Sequence, residues 1–189
     1  MYRLAVSGDP GSFSEEAGRL YATRQGWEDT DVEIVFATDM DGVLARVNNA
    51  DVTHGIFPVV NSRGGLVHMA FEAMGRYTFT MIDEIWFEVY QCIMVLPGVE
   101  KKDITTIVSH PQALIQCERY IKKHFPDAVL REWEDTAKAA KDLHDGVLDA
   151  SCAVIAPTRS QQIYGLEMLD RGIQDNHPNL TTFIIVEKN

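Results

Sequence analysis

The sequence is short of positive charge, of cysteine and of long apolar runs, and each shortage closes off a class of function. With 17 Lys and Arg against 28 Asp and Glu, the formal net charge is -11, so the chain lacks the basic surface that nucleic acid or an anionic membrane asks of a partner. A small anionic ligand must then be held locally, by helix N-termini and backbone amides that need no net positive charge. Cys92, Cys117 and Cys152 are widely spaced among apolar neighbours, the pattern of reduced core thiols rather than of a disulfide framework. The six histidines are scattered without ligand spacing, so neither a metal nor an organic cofactor is expected. No apolar run reaches the ~18 residues of a membrane span; the best candidate, 85–97, is interrupted by Glu88 and Gln91. Met1 leads directly into strand-like Tyr2-Arg3-Leu4-Ala5-Val6 without a signal-peptide pattern, and a cytoplasmic protein is expected.

What is present is a chain of 189 residues, 46% hydrophobic, enough to bury the core of one domain or of two small lobes. Short apolar runs at 4–7, 32–36, 55–59, 104–109, 128–130 and 153–156 read as buried strands. Amphipathic segments at 14–25, 40–48, 111–124, 136–145 and 159–166 read as helices, each entered through residues suited to capping, such as Ser12, Asp39, Ser109, Asp135 and Thr158. This rhythm predicts an α/β fold, a mostly parallel sheet covered by helices. Residues 77–97 interrupt it with one long extended stretch that can pass from one lobe to another, and the final strand, 181–186, can return. The expected architecture is therefore two lobes, 1–78 with 167–189 and 79–166, with a ligand cleft between them.

Four polar motifs fall at strand-to-helix turns. Gly8-Asp9-Pro10-Gly11-Ser12-Phe13-Ser14 follows the first strand, where glycine permits a tight backbone path and Ser12 or Ser14 suits a helix cap. Pro58-Val59-Val60-Asn61-Ser62-Arg63-Gly64-Gly65 forms a loop rich in short donors, ahead of a helix expected to begin near Leu66. Ser109-His110-Pro111-Gln112 sets proline in a first helical turn, with the serine expected at the cap. Adjacent Ser109 and His110 do not read as nucleophile and base, because neighbours at a helix start rarely present their side chains to each other. Glu134-Asp135-Thr136-Ala137 again places short acceptors at a helix start.

Singly these are capping chemistry; in this order they resemble the prephenate dehydratase family. Gly8 to Ser14 is similar to its Gly-Pro-x-Gly-Ser/Thr-Phe/Tyr-Ser opening, and Pro58 to Gly65 to its Pro-Ile-Glu-Asn-Ser-x-x-Gly segment. Ser109-His110-Pro111-Gln112-Ala113-Leu114-Ile115-Gln116-Cys117 resembles its Ser-His-Pro-Gln-Ala-Leu-x-Gln-Cys run. Asp135-Thr136-Ala137 with Ala139-Ala140, then Tyr164-Gly165-Leu166, Ile173-Gln174-Asp175 and Asn179-x-Thr181, complete the pattern. Two positions depart from it: the family's closing Thr-Arg-Phe stands here as Thr181-Thr182-Phe183, and the Glu before Asn61 is Val60. The chain ends at Asn189 without the C-terminal ACT domain through which many members sense phenylalanine, so feedback control within it is not expected.

The resemblance implies two lobes of the periplasmic-binding-protein type (type 2), assembly as a homodimer or homotetramer, and a small anionic substrate, prephenate or its amino analogue arogenate. It implies an enzyme of phenylalanine biosynthesis, a lyase converting prephenate to phenylpyruvate without a cofactor. Thr181 would contact the leaving hydroxyl. Ser12, Asn61, Ser62, Ser109 and Thr136 would anchor the carboxylates, with Phe13, His110, Thr182 and Phe183 also in contact with substrate. Because the arginine and the glutamate are absent, two alternatives stay open: a decarboxylase that leaves the ring non-aromatic, and an inactive protein that binds an aromatic acid.

Overall fold

The computed structural model describes residues 1–189. In chain order the elements are β1 (Tyr2–Ser7), α1 (Phe13–Arg24), β2 (Val32–Ala37), α2 (Met40–Asn48), β3 (His54–Asn61), β4 (Gly65–Leu66), α3 (His68–Met74), β5 (Phe79–Glu88), β6 (Cys92–Val95), β7 (Thr106–Ser109), α4 (Pro111–Gln116), α5 (Glu118–His124), β8 (Val129–Glu132), α6 (Thr136–His144), β9 (Cys152–Ala156), α7 (Thr158–Tyr164), β10 (Glu167–Arg171) and β11 (Leu180–Lys188). They form two compact units: residues 1–9, 13–88 and 180–189, and residues 10–12 and 89–179.

The sheet of the first unit runs β2-β1-β3-β11-β5, with β4 against β3. β1 is parallel to β2 and β3, whereas β11 is antiparallel to both β3 and β5. Period-two alternation gives the sheet two apolar faces. Leu4, Val6, Ile56, Phe183 and Ile185 pack with Ala17 and Tyr21 of α1; Ala5, Phe57, Ile184 and Val186 pack with Val43, Leu44 and Val47 of α2 and Ala70 of α3. Gly55 makes the second face possible, since a Cβ there would stand 2.8 Å from both Val43 Cγ1 and Val47 Cγ2. β11 steps past one extra residue of β3, pairing Thr182 with Val60 but Phe183 with Pro58. The bulge falls beside Pro58, which has no N–H to give a ladder.

In the second unit the order is β10-β6-β9-β7-β8. β7 is parallel to β8 and β9, and β6 is antiparallel to β9 and β10. Met94, Val108 and Val154 meet Ala139, Ala140 and Leu143 of α6 on one face; Ile93, Ile107 and Ile155 meet Leu114 of α4 and Ile121 of α5 on the other. Each sheet is thus mixed, a parallel βαβ core extended by antiparallel strands.

Several elements differ from the expectation. The extended stretch 77–97 is two strands, and the units change at 88/89 and 179/180 rather than near 78 and 167. β5 stays in the first unit because it pairs along its length with β11, and β10 stays in the second because it pairs with β6. The helix expected over 111–124 breaks at Cys117 into α4 and α5, and β8, expected to be buried, is exposed because it is an edge strand. The helix expected near Leu66 begins at His68 because Gly65 and Leu66 first pair back onto β3.

Candidate functional site

In each unit the polar motifs gather at the carboxyl ends of parallel strands, where open α/β sheets place their ligands. In the first unit, antiparallel pairing brings the start of β11 to the end of β3, so that Thr181 and Asn61, 120 residues apart, become direct partners. Ser62 locks that junction twice: its N–H donates to the Leu180 carbonyl at 2.7 Å, and its Oγ accepts from the Leu180 N–H at 2.9 Å.

Asn61 sets the chemistry of the junction. Its Oδ1 accepts from the N–H groups of Arg63 (2.8 Å) and Gly64 (2.7 Å). Two backbone donors meet only an oxygen, which fixes the amide orientation and turns Nδ2 toward Thr181. That nitrogen donates to Thr181 Oγ1 at 2.8 Å. Thr181 is 7% exposed; its oxygen accepts from Asn61, which leaves the hydroxyl its proton and one further lone pair. The arrangement is a threonine hydroxyl held by an amide whose direction is set by a loop.

The two departures from the family pattern face each other: Thr182 is the register partner of Val60 across β3 and β11, with Trp86 of β5 on its other side. The two positions form a neutral cross-strand pair in this chain. Phe183 is 1% exposed and stands edge-on to Phe87, 6.2 Å away at 89°, and Phe13 packs on the same Phe87. Phe183 is therefore a core residue here, and Phe13 a half-buried flank of that core.

In the second unit the expected site residues largely satisfy backbone. Ser109 is fully buried and donates from Oγ to the Ile155 carbonyl at 2.6 Å, tying β7 to β9. It is not the cap; His110 is, its Nδ1 accepting from the Gln112 N–H at 3.2 Å, with Pro111 in the first turn. His110 therefore carries its ring proton on Nε2. Asp135 caps α6 through the N–H groups of Ala137 (2.8 Å) and Lys138 (3.0 Å), and Thr136, 8% exposed, is the first residue of that helix. Ser12, 4% exposed, follows a turn that α7 holds: Ser160 Oγ donates to the Gly11 carbonyl at 3.0 Å and Tyr164 OH to the Pro10 carbonyl at 2.7 Å. Gly11 is required there, with φ +89° and a Cβ that would stand 2.8 Å from Ser160 Oγ.

The closing motif residues turn out to be braces. Gln174 accepts from the Gln91 N–H and donates to the Val89 carbonyl, Asp175 caps α5 at Arg119 and Tyr120, and Asn179 Nδ2 donates to Gln116 Oε1. Ser160 had no signal of its own in the sequence, because it acts on a carbonyl distant along the chain; Gln116 stood in the matched Ser-His-Pro-Gln run, but its partner Asn179 lies 63 residues away. All three cysteines are buried free thiols, and burial pushes the Cys117 thiol upward. No group of three His, Cys, Asp or Glu side chains is placed to hold a metal ion.

The family model described as prephenate dehydratase matches residues 4–189. The chain is 34% identical over 187 residues to arogenate dehydratase/prephenate dehydratase 6, chloroplastic, of Arabidopsis thaliana, covering 98% of this chain and 43% of the relative. It spans less than half the length of the curated relatives it matches. The crystal structure of prephenate dehydratase in complex with L-Phe from Arthrobacter aurescens superposes with a TM-score of 0.85 at 26% identity, covering 99% of this chain and 60% of that one. A nutrient binding protein from Burkholderia cenocepacia bound to methionine shares the fold alone, with a TM-score of 0.55 at 12% identity over 99% of this chain and 85% of that one. Motifs, sheets and matched span together show that the chain belongs to the prephenate dehydratase family.

Proposed function

We propose that this chain carries the catalytic machinery for a decarboxylating dehydration of prephenate to phenylpyruvate. The single observation that carries the reading is the Asn61–Thr181 pair: a nearly buried hydroxyl whose oxygen accepts from an oriented amide, with its proton left to donate. In the reaction the bond to the ring carboxylate breaks and its electron pair becomes part of the aromatic ring. Carbon dioxide departs, the ring C–O bond breaks, and the hydroxyl takes up one proton and leaves as water. A threonine hydroxyl is too weak an acid to surrender its proton outright, so Thr181 acts as a hydrogen-bond donor to the departing oxygen. Donors preorganised in this way contribute ~3–4 kcal/mol in well-studied sites.

The Thr182–Val60 pair bears on the missing arginine. Because Thr182 and Val60 are register partners, an arginine and a glutamate at these two positions would face each other across β11 and β3, where this chain has a neutral pair. A framework role for that pair would be compatible with turnover in its absence. Arogenate is the second reading, favoured by the names of the curated relatives, arogenate dehydratases among them. Exposed Leu66, Met69 and Phe71 around α3, with Met81, Ile82 and Trp86 on edge strand β5, support self-association through the first unit.

The test is incubation with prephenate and, separately, arogenate, with products identified by mass and absorbance against the enzyme-free rate. Phenylpyruvate from the first supports the leading reading, and faster formation of phenylalanine from the second supports the alternative. A non-aromatic dihydro product, or thermal stabilisation by either acid without turnover, would overturn both.

A further inference from the structure

In the first unit a third side chain belongs to the row that holds Thr181. β11 pairs Thr181 with Asn61 of β3 on one side and with Phe87 of β5 on the other. Directly opposed residues on neighbouring strands share a face of the sheet, with Cβ atoms ~4.5–5.5 Å apart. The Thr181 hydroxyl therefore has an amide on one flank and an aromatic ring on the other.

The face is that of α1. Thr181 stands two residues before Phe183 on β11, and Phe87 two after Ile85 on β5; Phe183 and Ile85 both lie in the core against α1. Phe87 is held there by two rings, Phe183 edge-on at 6.2 Å and Phe13, the first residue of α1, at 6.5 Å and 57°. Ile85 and Phe183 are fully covered, whereas Phe87 and Phe13 keep part of their surface exposed. Trp86, next along β5, is opposite Thr182 and so on the other face. A fixed ring with apolar surface left over, beside a nearly buried hydroxyl, is the composition of small-molecule sites, apolar walls with a few placed polar groups.

We propose that Phe87 contacts the substrate, as the apolar flank for its six-membered ring. The inference rests on the role proposed for Thr181. A hydroxyl leaving a ring carbon is one bond from the ring, so an oxygen held ~2.7–2.8 Å from Thr181 Oγ1 brings that ring within reach of the neighbours in the row. On one flank it would meet the Asn61 amide, already engaged with Arg63, Gly64 and Thr181. On the other it meets apolar surface, which suits a ring that turns aromatic and sheds its charged carboxylate as carbon dioxide. Phe87 thus recognises the ring, and not the keto or amino group that distinguishes prephenate from arogenate.

Steady-state kinetics with prephenate and calorimetric titration of phenylpyruvate on the purified chain test this. In Phe87→Ala, KM for prephenate and Kd for phenylpyruvate are expected to rise ~10-fold or more. Phe87→Leu keeps apolar bulk, loses the flat face and guards against a folding defect; a rise of ~3-fold is expected. Trp86→Ala, one residue away on the opposite face, and Ile85→Val, on the same face but without exposed surface, are expected to leave both constants unchanged, the second with a lower Tm. Constants unchanged in both Phe87 variants, or raised as far in Trp86→Ala or Ile85→Val, would overturn the assignment of Phe87 while the proposed function stands. An unaltered chain that neither turns over prephenate nor binds phenylpyruvate would overturn both.

Discussion

The two units use their polar motif residues in opposite ways. In the first, Asn61 is held by its own loop and turns its remaining donor onto another side chain, Thr181, leaving a hydroxyl proton uncommitted. In the second, Ser109, His110 and Asp135 give their side chains to backbone: a carbonyl of β9, the start of α4 and the start of α6. The first unit therefore presents a side-chain donor, whereas the second positions helix starts, whose N–H groups suit carboxylates. Residues that look alike in the sequence, small and polar at a strand end, thus divide between side-chain pairing and backbone scaffolding according to which partner they find.

Stability and activity variants can break that division. Phe183→Ala is expected to have the largest effect, a loss of ~3–5 kcal/mol of stability from emptying a fully buried aromatic site, read by chemical denaturation; an unchanged stability with lost turnover would return Phe183 to ligand contact. Thr181→Val keeps shape and removes the donor, and is expected to lower kcat by ~10²–10³ while Thr181→Ser restores much of it; full activity in the valine variant would end the proposed mechanism. Asn61→Asp sharpens the same point. Its carboxylate still takes the Arg63 and Gly64 N–H groups but now accepts the Thr181 proton, so turnover is expected to fall although the fold persists.

Ser109→Ala is expected to show the reverse pattern, ~1–3 kcal/mol of lost stability from an unpaired Ile155 carbonyl with kcat changed little. A large kcat loss at unchanged Tm would make the second unit's serine chemical after all. For the cross-strand pair, Thr182→Arg and Val60→Glu together are expected to be more stable than the sum of the single changes by ~0.5–1 kcal/mol. Additivity in that double-mutant cycle would dissolve the pairing argument.

The smallest effect is one of pH and belongs to the first unit. Burial holds His54 below its ordinary value of 6.5, against the opposing pull of Glu187, whose carboxylate lies 3.0 Å from Nε2. The unfolded chain therefore binds the proton more readily than the folded one. The stability His54 contributes is complete above ~6.5 and is lost as pH falls from there through the depressed folded value. A Tm profile from pH 8 to 5 is expected to flatten in His54→Gln.

Much of the fold could be read from residue order alone. The α2 boundaries, the capping roles of Asp39 and Asp135, and the succession of strand and helix follow from contacts within a few residues, which local pattern encodes directly. The break at Cys117 could not, because Asp175 caps α5 from 56 residues away. Nor could the exposure of β8, since a strand's sequence does not say whether it has neighbours on both sides.

For the site, the sequence by itself determined which residues are polar at the strand ends and which family they match, because identity and spacing are local properties. Only the tertiary structure decided what each does: that Asn61 aims at Thr181, that Val60 and Thr182 face each other, that Ser109 is a bolt and Phe183 core. The reason is that a hydrogen bond or a cross-strand contact is set by sheet register, and register arises when β3, β5 and β11, distant along the chain, close their ladders together.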